Sequence, residues 1–139
     1  MDETGMGIKI ITGGVTAARG FKAASTAAGI KYKDRQDMAM IYSQEPCRSA
    51  GTFTTNIVKA APVKWDKNQV TSGAPARAVV INAGIANACT GEEGMGYCGQ
   101  TAEAAALALG ISAESVLVAS TGVIGMQLPG PGTIYMGQT

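Results

Sequence analysis

The chain has 139 residues, 46% of them hydrophobic, enough for one modest core and too few for two independent ones. With 11 Lys and Arg against 10 Asp and Glu the net charge is near zero, so no field draws the chain to nucleic acid or an anionic membrane. Histidine is absent, which removes Ser-His and Cys-His pairs and leaves carboxylates, lysine, cysteine, a terminal amine or hydrogen-bond donors to carry any catalysis.

The N-terminal MDETGMGIKI lacks both a basic n-region and an apolar core, and no run approaches the roughly 20 apolar residues of a membrane span. A soluble, unexported, cytoplasmic protein is expected. Cys47, Cys89 and Cys98 are odd in number and match neither a disulfide framework nor a metal site, so they read as buried or partly buried free thiols.

In chain order, aliphatic or β-branched runs bounded by Gly, Pro, Asn or Asp predict strands at Ile8–Ile11, Met38–Tyr42, Thr52–Val58, Ala78–Asn82 and Val116–Ser120. One helix is predicted over Gln100–Leu109, where Ala102, Ala105, Ala106 and Leu109 recur at i, i+3, i+4 and i+7 and Gly110 supplies the stop. Its small face suits close packing on a sheet. Strand, helix and strand from Ala78 to Ser120 make a βαβ-like unit, whereas the first half reads as strands and turns. The fold class expected is α/β, more closely an α+β sandwich in which a mixed β-sheet is layered with helices. Residues 1–129 form the domain, and residues 130–139, rich in Pro and Gly, form a loosely ordered tail.

Three stretches carry chemistry, each with an ordinary structural alternative. Gly94, Gly96 and Gly99 match GxGxxG, but Ile85 to Glu93 separate them from the preceding strand and Glu92-Glu93 oppose a phosphate, so packing at a helix entry is preferred to a dinucleotide site. Asn82 to Gly91 (NAGIANACTG) can satisfy a loop through short polar side chains, or let a substrate approach its backbone. Ser120-Thr121-Gly122 can cap a strand end. Alternatively, the Thr121 hydroxyl and the Gly122 amide can form an oxyanion hole, in which each donor is worth about 3 to 4 kcal/mol of transition-state stabilisation.

GGVTAARGFKAASTAAGIK, AGTFTTNIVKAAPV, AVVINAGIANACTGEEG and VLVASTGVIGMQLP, in this order from Gly13 to Pro129, resemble the N-terminal part of the ArgJ family. These are glutamate N-acetyltransferases, often bifunctional ornithine acetyltransferases. The resemblance implies a DmpA/ArgJ-like fold, here incomplete, and a part in arginine biosynthesis: acetyl transfer from N-acetylornithine to glutamate through a threonine ester. In the family the precursor cleaves itself into α and β chains, and the threonine that begins β is the nucleophile, with its own amine as base. No cofactor is implied beyond acetyl-CoA, an acetyl donor for some members. The family's Thr-Gly of STGVIG corresponds to Thr121 and Gly122, which gives them the oxyanion role.

After Pro129 the resemblance ends, and no residue here matches the nucleophile or the family's substrate-binding positions. Ile85 also stands where the pattern suggests a polar or small residue. The resemblance thus implies an α-chain-like portion, inactive alone, whose partner is the β chain of the same precursor. A noncatalytic fragment or binding module that associates with itself through open sheet edges is the other reading.

Overall fold

The computed structural model describes residues 8–129. Four strands form one sheet in the order β1-β2-β3-β4: β1 (Phe21–Thr26), β2 (Met38–Cys47), β3 (Ala76–Ile85) and β4 (Val116–Val123). β1, β2 and β3 are successively antiparallel, and β3 and β4 are parallel. That parallel pair needs a crossover, which α2 (Gly91–Leu109) provides. α1 (Ala61–Ser72) joins β2 to β3. The expected mixed sheet layered with helices is observed as an α+β fold, and the βαβ unit lies where the sequence places it.

The helical layer covers one face of the sheet. Ala102, Ala105 and Ala106 of α2 bury against Ala78, Val80 and Val116, with Leu109 partly buried beside them. The alanine stripe therefore meets the sheet as its periodicity requires. On the opposite face Ile41, Val79, Ile81 and Leu117 lie side by side in register and are only half-buried, with neither α-helix over them.

Sequence and structure part at several elements. Thr52–Val58 forms no strand, because Asn56 N donates to Thr54 Oγ1 (3.1 Å) and Val58 N to Asn56 Oδ1 (3.1 Å), so short polar side chains hold the backbone in local turns. Ile8–Ile11 also forms no strand. β1 and α1 carry little local signal in the sequence. β1 (FKAAST) is alanine-rich and without strand bias, and α1 is signalled only by Pro62 in its first turn and the left-handed Gly73 at its C-terminus. α2 begins at Gly91 rather than Gln100. The 130–139 tail lies outside the described residues.

The early start of α2 has a packing cause. A Cβ at Gly94 would lie 2.0 Å from Thr90 Oγ1 and 2.5 Å from Asn87 Oδ1, so this turn can approach the preceding loop only through glycine. Gly99 faces Trp65, and Gly96 faces open space. All three glycines of the GxGxxG pattern are inside the helix, away from any strand-to-helix turn.

α1 is fastened to the outer edge of β4. Trp65 Nε1 donates to Val116 O (3.0 Å), and Val118 N donates to Asp66 Oδ1 (2.9 Å). Burial raises the Asp66 carboxyl from 3.8 to about 6, opposed by the Val118 bond. Among the described residues no helix is long and apolar enough to cross a membrane.

Because the folded Asp66 pKa lies above its unfolded value, its contribution to stability is full below about pH 4 and is lost as pH rises through about 6. Urea titrations from pH 4 to 7 will show wild type losing stability relative to Asp66→Asn, whose amide oxygen still accepts from Val118. Gly96→Ala will stabilise the chain by about 0.5 to 1 kcal/mol through helix propensity, whereas Gly94→Ala will destabilise it by about 2 kcal/mol or more through overlap; thermal melts read both.

Candidate active-site corner

Parallel strands gather ligands at their carboxyl ends, and the carboxyl ends of β3 and β4 bring together Asn82 to Ile85 and Ser120 to Val123. β4 does not end at Ser120 as the sequence suggests. It pairs on through Ala83↔Thr121, Gly84↔Gly122 and Ile85↔Val123. Thr121 and Gly122 therefore sit within the last turnless residues of a strand, and both are exposed.

Glycine makes this extension possible. Gly84 has φ +115° and Gly122 φ +134°, conformations that L side chains rarely adopt. A Cβ on Gly122 would lie 2.2 Å from the Gly84 carbonyl carbon and 2.3 Å from its oxygen. The two backbones touch.

Strand alternation fixes where the donors point. Val118 N turns outward to Asp66, whereas Val123 O turns inward to accept from Ala86 N (2.9 Å). Even-numbered residues of β4 thus direct their N–H to the outer edge, and Gly122 N is among them. α1 covers that edge at Val116 and Val118. Thr121 is in register with Ala83 on the uncovered sheet face. An amide at the edge and a hydroxyl on the open face consequently occupy one corner of the molecule.

Behind the corner the polar groups are paired. Ser120 Oγ donates to Asn82 Oδ1 (2.6 Å), and Asn82 Nδ2 donates to Ile85 O (2.8 Å). In the following loop, fully buried Asn87 donates to Gly94 O (2.9 Å) and accepts from Thr90 Oγ1 (2.7 Å). Its own carbonyl receives Ala61 N (3.1 Å) at the start of α1. Gln127 Nε2 and Gly125 N bond to Thr90 O (3.1 Å) and Ala88 O (2.8 Å), closing the loop against the segment after β4. Of the two readings of NAGIANACTG, loop satisfaction accounts for Asn87 and Thr90. Ile85, 2% exposed, packs with Ile30 and Leu128 and does not line the corner.

The cysteines divide. Cys98 is fully buried; desolvation, with the Asp66 charge adding, pushes its thiol up to about 12, against a weak bond from Asn87, so it stays neutral and unreactive. Cys47 is half-buried, its Sγ 3.2 Å from Ser43 Oγ. Cys89 departs from the expected burial: it is exposed, at φ 56°, on a cleft of about 180 Å³ lined also by Ile57, Lys59, Lys64 and Met95. The cleft is hidden in the sequence because Thr52–Val58 reads as a strand, whereas the chain turns there. Among the described residues no group of three or more Cys, Asp or Glu side chains could hold a metal.

Comparison with known proteins agrees with the motifs. The model of the ArgJ family matches residues 22–134. The arginine biosynthesis bifunctional protein ArgJ of Gloeobacter violaceus is 52% identical over 119 residues, which cover 86% of this chain and 29% of the relative. That of Thermotoga neapolitana is 52% identical over 113 residues, covering 80% and 28%. The chain therefore spans under a third of the length of these relatives. Among solved structures, the ornithine acetyltransferase of Mycobacterium tuberculosis complexed with ornithine superposes with a TM-score of 0.83 at 46% identity, covering 89% of this chain and 66% of that one. The ArgJ protein of Bacillus halodurans gives a TM-score of 0.83 at 38% identity, covering 90% and 64%.

The backbone contact makes Gly122 intolerant of any side chain. Gly122→Ala will lower stability by about 3 kcal/mol or more, from the left-handed φ and the overlap with Gly84 together. Equilibrium urea unfolding measures the loss.

Proposed function

The chain belongs to the ArgJ family, and from that membership we propose that it is the α-chain-like portion of a glutamate N-acetyltransferase or ornithine acetyltransferase, supplying the oxyanion hole. The observation that carries this reading is the exposed corner at Thr121 and Gly122, a hydroxyl and an amide on adjacent residues of a strand end. The activity belongs to arginine biosynthesis in the cytoplasm.

In the reaction a threonine hydroxyl from a β chain attacks the acetyl carbonyl of N-acetylornithine, its proton passing to the threonine's own α-amine. The carbonyl π pair moves onto oxygen, and the oxyanion accepts hydrogen bonds from Thr121 Oγ and Gly122 N. Collapse expels ornithine, which takes the proton, and leaves the acetyl group on the threonine as an ester. The amine of glutamate attacks that ester through a second oxyanion in the same donors, giving up a proton to the α-amine; collapse breaks the ester C–O bond, the proton returns to the threonine oxygen, and N-acetylglutamate departs. Such preorganised donors act most strongly where water is excluded. The Thr121 side chain faces the uncovered sheet face, so the β chain that brings the nucleophile would also have to cover that face.

A second reading has its own support. The apolar row of Ile41, Val79, Ile81 and Leu117 suits burial against another surface, and a noncatalytic module could pair with itself there. Native mass of the isolated chain separates a self-pairing module from a chain that assembles only with β.

The enzymatic reading is tested by reconstitution. The chain alone will transfer no acetyl group from N-acetylornithine to glutamate, and addition of a relative's β chain will restore transfer. In that complex Thr121→Val will lower kcat by about 10²- to 10³-fold, the loss typical of one oxyanion donor. Undiminished kcat in a verified complex contradicts the role given to Thr121.

A further inference from the structure

We propose that Asn82 is a positioning residue for the Gly122 amide, acting through Ser120 and the Ile85 carbonyl; the proposal rests on Thr121 and Gly122 being oxyanion donors. Asn82 is 7% exposed and lies opposite Ser120 in the β3–β4 register. Both ends of its side chain are engaged: Oδ1 accepts from Ser120 Oγ at 2.6 Å, and Nδ2 donates to Ile85 O at 2.8 Å.

These bonds bracket the glycine contact. Ser120 stands two residues before Gly122 on β4, and Ile85 immediately follows Gly84 on β3. In a fully extended strand a carbonyl three residues ahead is about 10 Å away, beyond the reach of an asparagine side chain. The positive φ of Gly84 folds β3 so that the Ile85 carbonyl returns to Asn82. Gly122, itself at positive φ, nests on that fold.

Neither glycine has a side chain to hold the strands at a fixed spacing. A buried amide bonded to each strand supplies that constraint, since a slip of either strand would leave one of its ends unpaired in the interior, which is strongly disfavoured. The same geometry removes Ser120 as a nucleophile, because its proton is directed to an amide oxygen, which is not a base. Its part is to tie the β4 backbone just before the donors.

The test uses the full chain labelled with ¹⁵N, comparing wild type with Asn82→Ala, Ser120→Ala and Ser120→Thr. In wild type the Gly122 amide will show an order parameter near 0.85, that of rigid backbone, and in both alanine variants it will fall below about 0.6. Leu117 to Ala119 will stay rigid, and Ser120→Thr, which keeps the hydroxyl, will restore Gly122. In the reconstituted acetyl-transfer assay Ser120→Ala will lower kcat about tenfold with KM unchanged, and Ser120→Thr will recover it. Should Asn82→Ala fail to fold, Ser120→Ala carries the test, since it deletes only one hydroxyl.

A Gly122 amide as ordered in the alanine variants as in wild type overturns the proposal, and so does a loosened Gly122 with undiminished kcat. If the wild-type complex transfers no acetyl group, the oxyanion reading fails instead, and the order parameters alone then decide whether Asn82 fixes Gly122.

Discussion

A Cβ placed on Gly122 would fall 2.2 Å from the Gly84 carbonyl carbon, so the carboxyl ends of β3 and β4 can meet only where residue 122 lacks a side chain. The consequences spread outward. Because the strands stay paired as far as Val123, Thr121 and Gly122 are held by a sheet rather than by a loop. Because Gly84 and Gly122 have positive φ, the strand ends fold, and the Ile85 carbonyl comes within reach of Asn82. The oxyanion role proposed for Thr121 and Gly122 calls for this kind of fixed placement, since an oxyanion is stabilised most by groups that do not reorganise as its charge develops.

The outer edge of β4 is covered along only part of its length. Trp65 and Asp66 occupy its first half and bind α1 to it. α1 is itself held at its start by the Asn87 carbonyl, and Asn87 is held by Gly94 and Thr90. A continuous run of bonds thus connects the α2 entry, the loop and α1 to the strand that carries Gly122. The Asn87 and Thr90 side chains bond to each other and to the Gly94 carbonyl, which accounts for short polar residues in this stretch.

Much of the second half was legible in the sequence, because its signals are local. The alanine period of α2 and the aliphatic runs of β3 and β4 specify the βαβ unit, and Thr121-Gly122 stood out as adjacent donors. The strand's continuation through Gly122 was not legible, since glycine ordinarily marks a turn and only the proximity of Gly84, 38 positions away by residue number, makes it a strand residue. Thr52–Val58 misled for the opposite reason: its β-branched residues suit a strand, but Thr54 and Asn56 bind the neighbouring backbone first. β1, with three small residues among six, takes its form from pairing with β2 rather than from propensity. The position of Asn82 and Ser120 as partners depended on register, which no single stretch contains.

The fold at Gly122 also bears on how the protein avoids its own kind. An edge strand that runs flat is a template on which a foreign strand can extend the sheet, and many proteins guard against this with bulges, bends or covering elements. β4 has two such guards, α1 over Val116 and Val118 and a glycine bend where that cover stops. The same bend that exposes the Gly122 amide therefore denies a regular row of hydrogen-bonding groups to another polypeptide, and resistance to fibrillar growth along this edge is built into the geometry of the corner.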